Sequence, residues 1–123
     1  RVRAGGAGLK AIVTDIAMET ELGNGKLRIE VNGAPAMIET ALRADVALLH
    51  ADRADVFGNL AYAATARNFN PLMAMAADRV IAEAERVLPL GALAPDEVHT
   101  PGPFVDHVVR LAELTEEYAV ARR

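Results

Sequence analysis

Polar and apolar residues alternate without a break over Lys26–Val31, and this two-residue period predicts a strand with one solvent-exposed face. Asn32-Gly33 follows at once and is typical of a two-residue hairpin turn, because such a turn needs positive φ at both central residues. The return strand, Ala34–Ile38, contains Pro35, which has no N–H to donate. The sequence therefore predicts a small antiparallel ribbon with the return strand at its edge.

Four other segments predict further strands. Lys10–Thr14 is a short apolar segment, and Val46–Leu49 is continuously apolar between two polar residues. The second pattern is typical of a strand covered on both faces, as in an α/β sheet. Two later strands are predicted over Val80–Glu85 and Phe104–Val109.

Helices are predicted between these strands. Asn70 suits an N-cap and Pro71 the first turn, so a helix is expected over residues 71–78, and a second one over Leu111–Tyr118. A polar loop is predicted over Asp52–Asp55. Strands that alternate with short helices indicate an α/β fold, a layered open sheet accompanied by the antiparallel ribbon.

Composition narrows the class of function. Lys and Arg total 13 against 17 Asp and Glu, for a net charge of −4, and only 4% of residues are aromatic, so no nucleic-acid partner is expected. The chain has no cysteine or serine, which excludes disulfides, thiol nucleophiles and serine triads. No run of 18 apolar residues occurs, so no membrane span is expected, and the lack of cysteine fits a reducing compartment, the cytoplasm.

Glycines and carboxylates offer candidate sites with competing interpretations. Gly5, Gly6 and Gly8 suit a phosphate loop or a tight turn, and the turn is favoured because the predicted strand follows them, whereas a dinucleotide fingerprint follows its strand. Glu21 stands among small residues, where a carboxylate nucleophile would have room, but a polar turn is the favoured interpretation.

Histidines and paired glutamates give weak indications. His50, His99 and His107 lack the spacing of a metal motif, so no metal site is predicted, and each is expected to be a hydrogen-bonded or surface histidine. Glu83 and Glu85 share one strand face, where paired carboxylates can serve acid–base chemistry, although a solvated strand end is favoured.

The segment Arg67–Pro71 combines a guanidinium, two amides and an aromatic ring before the predicted helix. It either binds a carboxylate or carbonyl oxygen through Arg67 and the helix-end N–H groups, or forms a rigid connector in which Asn68 and Asn70 cap backbone groups. Residue chemistry leaves both hypotheses open.

Five segments, taken together in their order along the chain, indicate a protein family more specifically than any single motif above. They are Arg3–Gly8, Ala44–Asp55, Gly58–Tyr62, Thr65–Met73 and Leu90–Gly102. Together they resemble the A (alpha) subunit of the family I 3-oxoacid CoA-transferases, which include the succinyl-CoA:3-ketoacid, 3-oxoadipate and acetate enzymes. The resemblance implies that residues 1–123 are the C-terminal part of a single CoA-transferase domain, with the glycine-rich and asparagine-rich N-terminal half absent.

The same resemblance implies a mechanism. A glutamate of such enzymes attacks an acyl-CoA, passes through a mixed anhydride and becomes a glutamyl-CoA thioester, from which a second acid takes the CoA. That glutamate belongs to the B (beta) subunit, so this chain is expected to hold no catalytic residue and to work in a hetero-oligomer. Coenzyme A is a substrate, and no cofactor is expected. The predicted substrate-binding residues are Gly6, Gly8, Thr14, Arg67 and Asn68.

One departure from the family concerns residues 9–20. Family members commonly carry Ile-Pro-Ala-Phe-Tyr-Thr after the glycines, whereas this chain has Leu9–Thr14 and then the acidic segment Asp15–Thr20. A different acyl acid is therefore expected. Two alternatives stay open: a non-catalytic structural or regulatory subunit, and a sugar-phosphate isomerase-like protein, which would need its own acid–base pair and phosphate loop.

Overall fold

The computed structural model describes residues 1–112. In chain order its helices and strands are α1 (Val2–Gly6), β1 (Ala11–Thr14), β2 (Arg28–Val31), β3 (Ala34–Thr40), β4 (Ala44–Asp55), β5 (Leu60–Ala61), α2 (Ala66–Met75), β6 (Ala77–Leu88) and β7 (His107–Arg110). Short 3₁₀ turns lie at Glu21–Gly23, Pro95–Glu97 and Gly102–Phe104. The helix predicted over Leu111–Tyr118 lies, beyond Ala112, outside the described residues.

The predicted antiparallel ribbon is present as a three-stranded sheet in the order β1-β3-β2. Asn32 and Gly33 have φ of 52° and 78°, as the predicted turn requires. The prediction that the Pro35 strand lies at an edge is wrong, because β3 is central. Pro35 is tolerated because β1 pairs only with Met37–Thr40, and the backbone N–H groups that face β2 belong to alternate residues of β3 such as Ile38, a set that does not include Pro35.

The second sheet has the order β5-β4-β6-β7, in which β4, β6 and β7 are parallel and β5 is antiparallel. Helix α2 connects β4 to β6 and packs on one face of the sheet. The core under the helix consists mostly of small side chains, which allow close approach of helix and sheet. It includes Ala47, Leu49, Ala51, Leu60, Tyr62, Ala74, Val80, Ala82 and Ala84.

The apolar run in β4 is covered on one face only. Ala47 and Leu49 are each 4% exposed, whereas Val46 is 46% and Leu48 is 70% exposed. The prediction that this run is covered on both faces is therefore wrong for residues 1–112. Successive strand side chains point to opposite faces, and α2 covers just the face of Ala47 and Leu49.

The predicted loop over Asp52–Asp55 is wrong, because this stretch continues β4. The strand stays paired with β6 as far as Asp55 opposite Leu88. The charges of the stretch are satisfied by ion pairs, including Asp52 with Arg86 at 2.9 Å. Polar residues alone therefore did not mark the end of the strand.

Helix α2 begins at Ala66, so the predicted N-cap at Asn70 and helix over residues 71–78 are wrong in their bounds. Pro71 lies inside the helix, where it removes only the backbone bond to Arg67 near the helix start. The glycine-rich start is also not a simple bend. It forms α1, and a Cβ on Gly6 would lie 2.7 Å from the Met75 Cβ, so glycine lets α1 approach α2 closely.

Candidate functional site

A cleft of about 340 Å³ lies where the end of α1 meets the start of β1. Its lining residues are Gly5, Gly8, Leu9, Lys10, Ala41 and Arg43. Gly8 has φ of +76°, and a Cβ there would have no atom within 4 Å. The cleft thus combines two cationic side chains with little side-chain bulk, which suits an anionic group.

Arg43 is held in place at this cleft. Its guanidinium donates to the Gly5 carbonyl at 3.1 Å and to Asp78 Oδ1 at 2.8 Å. Lys10, in contrast, is exposed. No Asp or Glu lines the cleft. The cleft therefore offers Lys10 and Arg43 to an anion, with the charge of Arg43 already paired with Asp78 at 2.8 Å, and its lining includes no carboxylate nucleophile.

The five predicted substrate-binding residues lie in four places. Gly8 lines the cleft, and Gly6 faces Met75 of α2. Thr14 is at the other end of β1, about 17 Å along the strand from Leu9, and its hydroxyl accepts from the Ile16 N–H at 3.1 Å.

Arg67 and Asn68 are exposed at the start of α2, about 12 Å along the helix axis from the Gly6 contact at Met75. The structure thus brings only Gly8 to the cleft. Substrate binding by the five residues stays a prediction, and Lys10 and Arg43 are additions that sequence reasoning missed. Lys10 and Arg43 are 33 residues apart, so the sequence alone does not show that they line the same cleft. The only signal in the sequence is that each stands next to one of the ribbon strands.

His99 has a defined neutral form. The Tyr62 N–H donates to His99 Nδ1 at 2.9 Å, and the two rings stack with centroids 6.0 Å apart. Burial, followed by the charges of Arg67 and Arg53, lowers the pKa of His99. Since Nδ1 accepts the Tyr62 N–H, the neutral imidazole carries its proton on Nε2. The Tyr62 hydroxyl is anchored on Thr100 at 2.8 Å.

His50 joins the two glutamates that sequence reasoning placed on one strand face. Its Nδ1 lies 2.9 Å from Glu83 Oε1 and its Nε2 lies 3.3 Å from Glu85 Oε1. Burial acts to lower the pKa of His50, but the hydrogen bonds and charges of the two carboxylates outweigh it, and the pKa is raised. The prediction that His50 and His99 are hydrogen-bonded histidines is confirmed.

The raised pKa of His50 predicts a pH-dependent stability. A histidine whose pKa is higher in the folded state stabilises fully below its unfolded pKa, and that contribution is lost as the pH rises through the folded pKa. We expect His50→Gln to lower the free energy of unfolding at pH 5.5 by less than about 1 kcal/mol, since the cluster is half exposed. Urea unfolding at pH 5.5 and 8.5 measures the effect. The loss of unfolding free energy caused by His50→Gln should be smaller at pH 8.5 than at pH 5.5. A loss that grows as the pH rises would contradict the raised pKa of His50.

The Asn70 side chain connects α2 to β4. Its Nδ2 donates to the His50 carbonyl at 3.0 Å. Asn68, two residues earlier, is exposed, and no described residue forms a hydrogen bond with its side chain. Of the two amides proposed as rigid connectors, the structure gives this role to Asn70.

We therefore expect Asn70→Ala to lower the free energy of unfolding by about 1 kcal/mol, because it leaves the His50 carbonyl without this donor. Asn68→Ala is the matched control, with an expected change within about 0.5 kcal/mol. Urea denaturation of both variants measures the difference. Equal losses, or a larger one for Asn68→Ala, would contradict the assignment.

The turn after β4 is built on a buried carboxylate. Asp55 is 1% exposed and accepts from the N–H groups of Phe57 and Asn59 and from Asn59 Nδ2. Asn59 Oδ1 in turn accepts from the Gly102 N–H at 2.8 Å. These bonds give Gly58-Asn59 a structural role in the turn that follows β4.

Other site classes find no support in residues 1–112. No group of three or more potential ligands there is arranged to hold a metal ion. Glu21 begins an exposed 3₁₀ turn and does not line the cleft. Within the same residues, no helix has the length and apolar character needed to cross a bilayer.

Residues 1–111 match the family model described as Coenzyme A transferase. The chain belongs to the coenzyme A transferase family. It is 52% identical over 111 residues to a probable coenzyme A transferase alpha subunit from Bacillus subtilis (strain 168). It is 51% identical over 109 residues to the A subunit of the succinyl-CoA:3-ketoacid coenzyme A transferase from Xanthomonas campestris pv. campestris (strain B100). The resemblance inferred from the sequence is confirmed.

Each of these two matches covers 89% of this chain but only 48% and 45% of the relatives. The chain thus spans about half the length of the curated relatives it matches.

Solved structures confirm the α/β CoA-transferase fold. The acyl-CoA transferase YdiF of E. coli O157:H7, in a thioester complex with CoA, superposes with a TM-score of 0.79 at 19% identity, over 93% of this chain and 26% of that one. A variant of the decarboxylase AibA/AibB gives a TM-score of 0.74 at 35% identity, over 90% of this chain and 42% of that one. At 19% identity, the likeness to YdiF concerns the fold alone.

Proposed function

We propose that this chain is part of the alpha subunit of a CoA-transferase that moves CoA between an acyl-CoA, such as succinyl-CoA, and a 3-oxo acid or another short carboxylic acid. The observation that carries the proposal is the identity of 52% and 51%, over nearly all described residues, to relatives whose names make them alpha or A subunits. Such names belong to enzymes with a second kind of subunit, so the active form is a hetero-oligomer with a beta subunit.

The cleft gives this chain a binding role in the proposed reaction. Lys10 and Arg43 attract an anionic part of a substrate, either an acid carboxylate or a phosphate of CoA. Arg43 is already oriented by Gly5 and Asp78, so it loses little freedom on binding. Gly8 leaves the approach open. This chain thus binds and orients substrate.

The covalent step then falls to the beta subunit. A glutamate oxygen attacks the acyl-CoA carbonyl, and the CoA thiolate leaves to give a mixed anhydride. The thiolate attacks the glutamyl carbonyl of that anhydride, which yields the glutamyl-CoA thioester and releases the first acid. The second acid repeats the two steps in reverse and takes the CoA. Each step exchanges one acyl bond for another without oxidation or reduction.

A cytoplasmic location for this protein stays a prediction.

A second candidate reaction is decarboxylation. The solved structure that is 35% identical to this chain is called a decarboxylase, so the fold also serves loss of CO₂. A cationic cleft would suit a carboxylate substrate in either reaction.

Reconstitution separates the candidates. The full-length alpha subunit that contains this chain is mixed with succinyl-CoA and the beta subunit, and then with a panel of 3-oxo and short-chain acids. Formation of a new acyl-CoA without release of CO₂ is expected. Release of CO₂ without a new acyl-CoA would favour the decarboxylase, and the absence of both reactions would favour the non-catalytic subunit.

A further inference from the structure

Lys10 is the one cation lining the cleft whose charge is not already paired within residues 1–112. Its ammonium forms no ion pair or hydrogen bond with any described residue, whereas Arg43 is bound to Asp78 at 2.8 Å. The carboxylate of β3, Glu39, is paired with Lys26 at 3.1 Å. Lys10 therefore leaves one uncompensated positive charge at the cleft.

The backbone at Lys10 adds a second hydrogen-bond donor. The Ala41 N–H donates to the Lys10 carbonyl at 2.9 Å, but the Lys10 N–H donates to no described residue. The paired part of β1 begins with Ala11 opposite Thr40, so the ladder opens at this residue. Lys10 thus offers an ammonium and an N–H, which are both groups from which a carboxylate accepts hydrogen bonds.

The rest of the lining is apolar and small. Apart from the two cations it consists of Gly5, Gly8, Leu9 and Ala41, and Leu9 is 53% exposed. Small-molecule sites typically have such a lining, with few polar groups, and volumes of about 300–1,000 Å³. At about 340 Å³ the cleft lies at the low end of that range. It therefore suits a short aliphatic chain with one anionic end.

The reacting carboxylate of the acid is not the group that Lys10 suits. That carboxylate loses its charge when it becomes an acyl group, so a cation bound to it would stabilise the free acid more than the transition state. A second carboxylate at the far end of the acid keeps its charge throughout. A phosphate monoester of CoA also stays charged, but it carries about two negative charges, which one unpaired cation neutralises only in part.

We propose that Lys10 is a specificity-determining residue that selects an acid with a second carboxylate, by pairing with that carboxylate at the cleft. The proposal rests on the proposed function, because it names the class of acid for the reaction given there. Leu9 and Ala41 contact the methylene chain between the two carboxylates. The lysine side chain is a flexible point charge, so it accommodates acids of somewhat different length.

The test uses the full-length alpha subunit assembled with its beta partner, and acetyl-CoA as the donor. Succinate and butyrate are compared as acceptors, since both have four carbons and they differ in the second carboxylate. Lys10→Gln removes the charge and Lys10→Arg keeps it. Lys26→Gln is the matched control, because Lys26 is the other lysine of the chain and pairs with Glu39 outside the cleft. The kcat/KM for each acid and the KM for acetyl-CoA are measured at low and high salt.

Lys10→Gln is expected to lower kcat/KM for succinate by about 10-fold and that for butyrate by less than about 2-fold. Lys10→Arg restores most of the preference for succinate, and Lys26→Gln leaves it unchanged. High salt reduces the preference of the wild type, because it screens the exposed ammonium.

Three results would overturn the proposal. The first is an unchanged ratio of the two kcat/KM values in Lys10→Gln. The second is an equal loss with both acids and a raised KM for acetyl-CoA, which would place a CoA phosphate at Lys10. The third is a wild-type enzyme that transfers CoA to butyrate and not to succinate.

Calorimetric titration of the same complexes with succinate keeps the two proposals apart. A pair that transfers no CoA, but that binds succinate more weakly as Lys10→Gln and not as Lys26→Gln, would remove the proposed function and leave the carboxylate site standing. A pair that transfers CoA with the same succinate-to-butyrate ratio in every variant would do the opposite. The absence of both CoA transfer and succinate binding would remove both proposals.

Discussion

Replacing Asp55 with alanine is expected to lower the free energy of unfolding by about 3 kcal/mol, the largest stability effect expected for any described polar residue. The carboxylate is 1% exposed and accepts three hydrogen bonds of 2.8 to 3.0 Å. Two of its donors are backbone N–H groups in the turn after β4. A buried donor without a partner costs about 1–3 kcal/mol.

Asp45→Ala is the matched control, because Asp45 is exposed on the same strand. The free energy of unfolding of Asp45→Ala should change by no more than about 0.5 kcal/mol. Asp55→Asn keeps an acceptor oxygen and should fall between the two. Urea denaturation measures all three. A loss below about 1 kcal/mol for Asp55→Ala would mean that water or another group replaces the carboxylate, and the structural role of the Gly58-Asn59 turn would have to be abandoned.

Local patterns predicted the ribbon well, and its topology less well. The alternation over Lys26–Val31 and the Asn32-Gly33 turn depend only on neighbouring residues, and both are confirmed. The central position of β3 depends on β1, about 25 residues earlier in the chain. Pro35 indicated an edge because the sequence alone does not show that β1 ends opposite Met37 and leaves the proline nitrogen without a partner strand.

The parallel sheet illustrates a different limit. An apolar run such as Val46–Leu49 indicates a strand, but whether both faces are covered depends on what packs there. Helix α2 covers one face. The start of that helix was misplaced because the Asn70-Pro71 pair is typical of a helix start, and the tertiary bond from Asn70 to His50 cannot be seen in the sequence.

The candidate site was predicted only in part. Gly8 belongs to the cleft, but Lys10 and Arg43 meet there through the β1–β3 pairing and the contact of Arg43 with Gly5. Likewise, Glu83 and Glu85 follow from strand periodicity, whereas His50 joins them only because β4 and β6 pair in this register. Pairings between distant segments are what the sequence did not reveal.

The largest functional effect is expected on removing the beta subunit. The full-length alpha subunit without its partner should transfer CoA at least about 1000-fold more slowly than the pair. The physical reason is that transfer needs a carboxylate nucleophile facing the acyl-CoA, and no Asp or Glu lines the cleft of this chain. Acyl exchange by the purified alpha subunit, with no partner present, at a rate near that of the pair would contradict the proposed division of roles.

The position of the covalent intermediate tests that division most directly. The assembled enzyme is mixed with acyl-CoA, the thioester is reduced with borohydride to an alcohol, and both chains are mapped by mass spectrometry. One reduced glutamate, on the beta subunit, and an unmodified alpha subunit are expected. A reduced acidic residue anywhere between Asp15 and Glu117 of this chain would contradict it.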